Sequence, residues 1–135
     1  MEETLKNLLA KNFEAKFAEN RDAVKQIVLS SISKDVIVGV GDSATVRQVG
    51  IIEELEKKGI RVLNPFSKEL TTDSGKTMVR DDISRRIFSC DVLLSGTNTV
   101  TRDGKLVNID AVGNRVASMI FGPKRSSSSR VKTKL

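Results

Sequence analysis

Two clusters of small polar residues in this chain have the types and spacing that ligand binding requires. Each follows an apolar run that is typical of a buried strand. Parallel strands bring the loops at their carboxyl ends to one edge of a sheet, where α/β folds place ligands. The candidate ligand-binding residues are Gly39, Gly41, Asp42, Ser43 and Thr45 in the first cluster, and Gly96, Thr97, Asn98, Asp110, Asn114 and Arg115 in the second.

The first cluster lies where a strand passes into a helix. Its glycines allow close approach of the backbone, and Ser43 and Thr45 add hydroxyls beside the free N–H groups of the helix, which together suit a phosphate or carboxylate. Equally, the glycines can serve a tight turn and the hydroxyls can cap the helix. The motif lacks the third glycine of a dinucleotide fingerprint and the lysine of a P-loop. Asp42 repels an anion unless it points away or binds a hydroxyl or a metal.

The second cluster offers more varied chemistry. Arg115 can clamp a carboxylate or phosphate, and Asp110 is the candidate general base or can hold a hydroxyl. The alternatives are that Asp110 pairs with Arg115 and that Asn114 caps the final helix. We favour a ligand role for at least two of these residues, because capping needs fewer polar groups than are present.

Cysteine and histidine usage limits the chemistry of the chain. It contains one cysteine, Cys90, and no histidine. This excludes an internal disulfide and makes a zinc or iron–sulfur centre within the chain implausible, so we expect no metal and no cofactor in this chain. Without a histidine to activate it, Cys90 is expected to be a small core residue.

Periodicity predicts an alternation of strands and helices around these clusters. Leucine and phenylalanine spacing up to Phe17 predicts one N-terminal helix, and a second follows an N-cap at Asn20. Further helices are expected at 46–58, at 76–89 and at 116–121, and Gly59 is expected to end the first of these. Strands are expected at 35–41, 60–65 and 92–94. A hairpin turn is expected at 102–104, followed by a returning strand at 105–109. The predicted fold class is α/β, a three-layer sandwich with a mostly parallel sheet, a β-hairpin insert and N-terminal helices.

The charge of the chain is concentrated at one end. The chain has 135 residues and a net charge of +6, but five basic residues and no acid lie in 124–135, which leaves about +1 for the rest. Specific nucleic-acid binding is therefore not expected. The sequence begins without the pattern of a secretory signal and has no apolar run long enough to span a bilayer, which predicts a cytoplasmic protein. We expect an N-terminal helix at 1–19, an α/β domain at 20–123 and a disordered basic, serine-rich tail at 124–135.

The residues from about 20 to 124 resemble the LUD (lactate-utilisation) domain family, in particular small stand-alone members related to lactate-utilisation protein C. The resemblance lies in Leu94–Asp110, Gly113–Ala117 and Ile120–Lys124, with Val38–Val46 matching the first Gly/Ser loop of the family. It implies a fold like that of ribose-phosphate isomerase, glucosamine-phosphate deaminase and the CoA transferases. It also implies a role in oxidising lactate to pyruvate beside iron–sulfur partner proteins.

Two departures from the family pattern affect these expectations. Asp42 and Ala44 stand where relatives more often have a small residue and a hydroxyl. After Gly122-Pro123-Lys124, where family members continue with an apolar strand, this chain has Arg125 and a run of serines. The expected strand is therefore predicted to be missing, because the chain is truncated or frameshifted or because a partner completes the sheet. An exposed sheet edge favours poor stability or association, and a homo-oligomer is one such association.

Three hypotheses follow for function. The first is a small-ligand-binding or accessory subunit of lactate oxidation that takes an organic acid, a sugar phosphate or a nucleotide moiety. The second is an isomerase- or CoA-transferase-like enzyme acting on a sugar phosphate or acyl-CoA, with Asp110 or Asp42 as base. The third is a truncated, non-catalytic interaction module.

Overall fold

A computed structural model describes residues 1–71, 74–123 and 125–129 of the chain. The helices are α1 (Glu2–Ala10), α2 (Arg21–Ser30), α3 (Ala44–Val49), α4 (Ile51–Lys57), α5 (Lys68–Thr71), α6 (Thr77–Arg86) and α7 (Asn114–Phe121), with 3₁₀ turns at Ser74–Lys76 and Ile87–Ser89. The strands are β1 (Ile37–Val40), β2 (Arg61–Leu63), β3 (Val92–Gly96), β4 (Thr99–Val100), β5 (Leu106–Val107) and β6 (Arg125–Ser129). Within these ranges, no helix has the length and apolarity needed to cross a membrane.

Four parallel strands in the order β2-β1-β3-β6 form the main sheet, which confirms the α/β class. Strand residues alternate between two apolar clusters, as the two-residue period of a strand requires. Val38 and Leu94 pack with α3 and α4 in one cluster, and Leu93 packs with Ile87 and Leu63 in the other. Helical residues thus cover the sheet on both faces, and the strand ends are left to form the site.

Two predicted helix ends are confirmed. The Asn20 side chain accepts a hydrogen bond of 2.9 Å from the backbone N–H of Ala23, so it caps α2. Gly59 has φ +73° directly after the cap of α4, a conformation that glycine adopts without steric cost. Local signals therefore set these boundaries.

Several predicted boundaries are wrong. The single helix expected over 46–58 is two helices, because Gly50 has φ +66° and interrupts the hydrogen-bonded ladder between α3 and α4. The first helix ends at Ala10, which leaves Phe13 and Phe17 outside it. Ser95 and Gly96 lie in β3 rather than in the loop after it.

The serine run forms a strand, which corrects the expectation of disorder for part of the tail. β6 pairs with β3 in parallel register, with Ser126 opposite Leu93 and Ser127 opposite Leu94. Parallel pairing is made by backbone groups, so it does not require apolar side chains. The strand predicted to be missing after Pro123 is therefore present; Lys124 and 130–135 lie outside the described residues.

The predicted hairpin is confirmed, and α1 lies against its tip. β4 and β5 pair antiparallel, and Gly104 at the turn has φ +78°. The Asn7 side chain donates to the carbonyl of Arg102 at 2.9 Å, and the Lys11 ammonium donates to the carbonyl of Asp103. The N-terminal helix is thus attached to the hairpin by polar contacts.

Candidate functional site

The two polar clusters converge at the carboxyl edge of the sheet. The backbone N–H of Gly41, just after β1, donates to the carbonyl of Leu94 in β3 at 2.9 Å. A Cβ atom at Gly41 would lie 2.8 Å from the Ser95 hydroxyl and 3.1 Å from Cγ of Arg115. Only glycine fits this position without displacing a neighbour, so the first loop lies directly against the second cluster.

Arg115 is the centre of the second cluster. Its side chain projects from the first turn of α7 and the residue is 8% exposed. Nη1 donates to the carbonyl of Gly96 at 2.7 Å and to Oδ1 of Asn108 at 3.2 Å. Nη2 donates to Oδ1 of Asn98 at 2.9 Å and to the carbonyl of Ile109 at 2.8 Å. The guanidinium therefore fastens the end of β3 to both sides of the hairpin base.

Asp110 caps α7. Its Oδ2 accepts hydrogen bonds from the backbone N–H groups of Arg115, at 2.9 Å, and Val116, at 3.0 Å. Burial raises the pKa of Asp110, but N–H groups of Val116, Val112 and Arg115, together with the Arg115 charge, outweigh it and lower the pKa below its ordinary value. The carboxylate is therefore ionised at neutral pH and satisfies the N–H groups of the helix start.

Polar side chains next to Arg115 close the base of the hairpin. Oδ1 of Asn98 also accepts from the backbone N–H of Ile109 at 2.9 Å, and the Thr97 hydroxyl donates to the carbonyl of Val107 at 3.2 Å. Oδ1 of Asn114 accepts from the backbone N–H of Arg115 at 2.8 Å. These contacts hold the loops in place beside the strand ends.

The first cluster is divided between surface, helix cap and core. Ser43 caps α3 by accepting from the N–H of Val46 at 3.2 Å, and Thr45 lies half-buried in that helix. Asp42 points into solvent, where Oδ1 lies 2.8 Å from Nη1 of Arg47. Gly39 lies inside β1, where a Cβ atom would be 2.8 Å from the Cys90 sulfur. Gly41 and Asp42 are the members of this cluster that line a depression of the surface beside Arg115.

A shallow depression lies beside Arg115, with a cavity volume of about 10 Å³. That volume is about the space that one water molecule needs. The polar groups at its wall include Asn114 and Arg115. Six further lining residues were not predicted from the sequence: the strand and helix residues Val40, Ile87 and Leu93, and also Phe66, Ser84 and Ser118. The Asn64-Pro65 turn after β2 indicated a strand end near Phe66, whereas nothing in the helical pattern marked Ser84 or Ser118.

In the described ranges, Cys90 is a buried free thiol and the acidic side chains form no metal-binding group. Burial raises the pKa of the Cys90 thiol, which donates to the carbonyl of Val92 at 3.3 Å. Across the part of the chain that the structure covers, no group of three or more His, Cys, Asp or Glu side chains is arranged to hold a metal ion. The site therefore consists of amide, hydroxyl, carboxylate, guanidinium and backbone groups.

These features define an α/β domain whose polar loops meet at the carboxyl edge of a parallel sheet. The chain belongs to the LUD domain family: the family model matches residues 1–126. The match includes α1, which our sequence analysis had left outside the resemblance, and it reaches the start of β6. No curated protein and no solved structure matches the chain.

Proposed function

We propose that this LUD domain is a small-ligand-binding or accessory protein in the oxidation of lactate to pyruvate, working with iron–sulfur partner proteins. Membership of the lactate-utilisation-related family supports the metabolic context. The observation that carries the ligand-binding proposal is the meeting of Gly41, Asn114 and Arg115 at one depression on the carboxyl edge of the sheet. This is the edge where parallel α/β folds bind ligands.

The size of the depression favours a small organic acid as its ligand. A depression of about 10 Å³ holds about one water molecule, so the rearrangement needed to enclose a ligand grows with the size of that ligand. A three-carbon acid of the size of lactate or pyruvate requires less rearrangement than a sugar phosphate or a nucleotide. The Asn114 amide and the Arg115 charge suit a carboxylate and a hydroxyl or keto oxygen.

The chemistry of Asp110 argues for binding rather than proton abstraction. Its carboxylate accepts two backbone hydrogen bonds, and its pKa is lowered. A general base works best when its pKa lies near the operating pH. Among the alternatives, an isomerase-like or transferase-like reaction based on Asp110 is therefore the less favoured.

Thermal unfolding followed by circular dichroism tests this proposal. We expect lactate or pyruvate to raise the midpoint of unfolding saturably, because a ligand that binds the folded state stabilises it by mass action. Asn114→Ala should weaken that effect at least about tenfold in apparent affinity. Gln26→Ala, which removes an exposed amide from α2, is the matched control and should leave it unchanged.

Three results would decide against the proposal. Absence of stabilisation by any organic acid, sugar phosphate or nucleotide would remove the ligand-binding function. An equal loss in Gln26→Ala would show binding elsewhere. Turnover of a sugar phosphate or acyl-CoA by the purified protein would favour the enzymatic alternative instead.

A further inference from the structure

Asp42 places a negative charge at the rim of the depression. Among the residues that line the depression, the charged ones are Asp42 and Arg115. Asp110 adds a second carboxylate beside Arg115, because it accepts a hydrogen bond from the backbone N–H of that residue at 2.9 Å. Two carboxylates therefore accompany one guanidinium at this edge of the sheet. An organic acid that met these three groups alone would meet a net negative charge, which repels it.

Arg47 on α3 supplies a compensating positive charge. Its Nη1 atom lies 2.8 Å from Oδ1 of Asp42, so the two side chains form a hydrogen-bonded ion pair. With Arg47 counted, two guanidinium groups balance the two carboxylates. The pair is open to solvent, since 51% of the Arg47 side chain and 62% of the Asp42 side chain are exposed. An exposed pair of this kind adds little to the stability of the fold, so it can be removed without unfolding the protein.

The ion pair also determines where the Asp42 carboxylate points. In the part of the chain that the structure describes, Asp42 pairs with Arg47 and not with Arg115, although both Asp42 and Arg115 line the depression. Without Arg47, the Asp42 carboxylate is free to turn toward the guanidinium of Arg115, because opposite charges attract. There it would compete with the carboxylate of a ligand.

We propose that Arg47 is a positioning residue that makes the site selective for small anions. It neutralises Asp42 and holds that carboxylate toward solvent, so the charge of Arg115 is left to attract an organic acid. This role rests on the proposed function, because Arg47 acts on a ligand at the same depression. It also accounts for the presence of an acidic residue at the rim of a site for anions.

Amide NMR titrations with lactate test this role in matched variants. We expect Arg47→Ala to raise the dissociation constant for lactate about threefold or more, because a charge at the rim of a site affects the binding of charged ligands. Arg47→Lys keeps the charge and should restore most of the affinity. Arg61→Ala is the matched control and should leave the dissociation constant unchanged. Arg61 is an exposed arginine at the start of β2, at the opposite end of the sheet.

Two further measurements separate an effect of charge from a change in structure. Asp42→Asn combined with Arg47→Ala should return the dissociation constant for lactate to near the wild-type value, because both charges of the pair are then absent. Lactamide, the neutral amide of lactate, should give the same result with the wild-type protein and with Arg47→Ala, since it carries no charge.

The outcomes distinguish this role from the proposed function itself. Lactate binding that is equal in the wild-type protein and Arg47→Ala would overturn the role of Arg47 and leave the proposed function in place. Failure of the double variant to recover, or an equal loss for lactamide, would also overturn it, because the effect of Arg47 would then be structural. Absence of lactate binding by the wild-type protein would overturn both.

Discussion

At the scale of single residues, Arg115 combines a structural role with a place at the candidate site. Its type and position predicted a clamp for an anionic ligand, and the structure shows the guanidinium bound to four oxygens of its own chain. Those oxygens come from β3 and from both sides of the hairpin base. Arg115 therefore orders the loops beside the candidate site.

Removal of the Arg115 side chain should destabilise the fold strongly. Arg115→Ala removes four hydrogen bonds from a charged donor in half-buried surroundings, so we expect a loss of about 3 kcal/mol in the free energy of unfolding. Arg47→Ala, which removes an exposed partner of Asp42, should cost less than about 0.5 kcal/mol. Urea unfolding followed by circular dichroism measures both, since the chain has no Trp or Tyr for fluorescence. Equal stability of the two variants would contradict the network.

Asp110 should give the fold a dependence on acid pH. Its pKa is lowered on folding, so its ionised form stabilises the protein above the unfolded pKa, and this contribution is lost as pH falls through the folded pKa. Asp110→Asn keeps an acceptor for the helix N–H groups but removes the charge. We therefore expect the wild-type protein to have a higher midpoint of thermal unfolding than Asp110→Asn at pH 7. The difference between the two midpoints should shrink below about pH 4. A difference that is constant with pH would contradict the capping role.

At the scale of elements, the sequence correctly predicted the strands, caps and turns that depend on residues close together in the chain. The glycine-terminated β-branched run, the Asn20 cap and the Asp103-Gly104 turn each gave the correct element. The break at Gly50 was missed because valine and isoleucine on either side continue a helical pattern. β6 was missed because its place depends on the open edge of β3, and serine itself carries no strand signal.

Proline substitutions in β6 should have opposite outcomes at neighbouring residues. In a parallel strand, successive backbone N–H groups point to opposite edges, so one of Ser126 and Ser127 directs its N–H to β3 and the other to the open edge. We expect one of Ser126→Pro and Ser127→Pro to cost about 2 kcal/mol or more and the other to cost little. Each variant serves as the control for the other in urea unfolding. Two neutral substitutions would show that β6 does not pair with β3.

The attachment of α1 to the hairpin can be tested at Gly104. A Cβ atom there would lie 2.8 Å from the backbone carbon of Asn7, whereas one at Gly59 meets nothing within 4 Å. Both glycines have positive φ, so Gly59→Ala reports the backbone cost alone, about 1 kcal/mol. Gly104→Ala should cost more and should speed proteolysis between residues 11 and 20. Identical behaviour of the two variants would mean that α1 does not pack on the hairpin.

At the scale of the whole molecule, the sheet separates two kinds of surface. Its carboxyl edge collects the amide, hydroxyl and guanidinium groups, while Ile120 and Phe121 at the end of α7 are exposed apolar side chains. The family match spans both, since it extends from residue 1 to 126. The convergence of the two loops was predictable from parallel topology. The contacts of Arg115 were not, because two of its four acceptors are backbone carbonyls, which no residue type marks in the sequence.

An amide NMR titration of the protein with lactate and pyruvate tests the central claim most directly. We predict saturable shifts for Gly41, Asp42, Asn114 and Arg115, with the amides of α2 unmoved. Shifts confined to other parts of the chain, or no shift with either acid at millimolar concentration, would contradict the assignment of the ligand site to the carboxyl edge of the sheet.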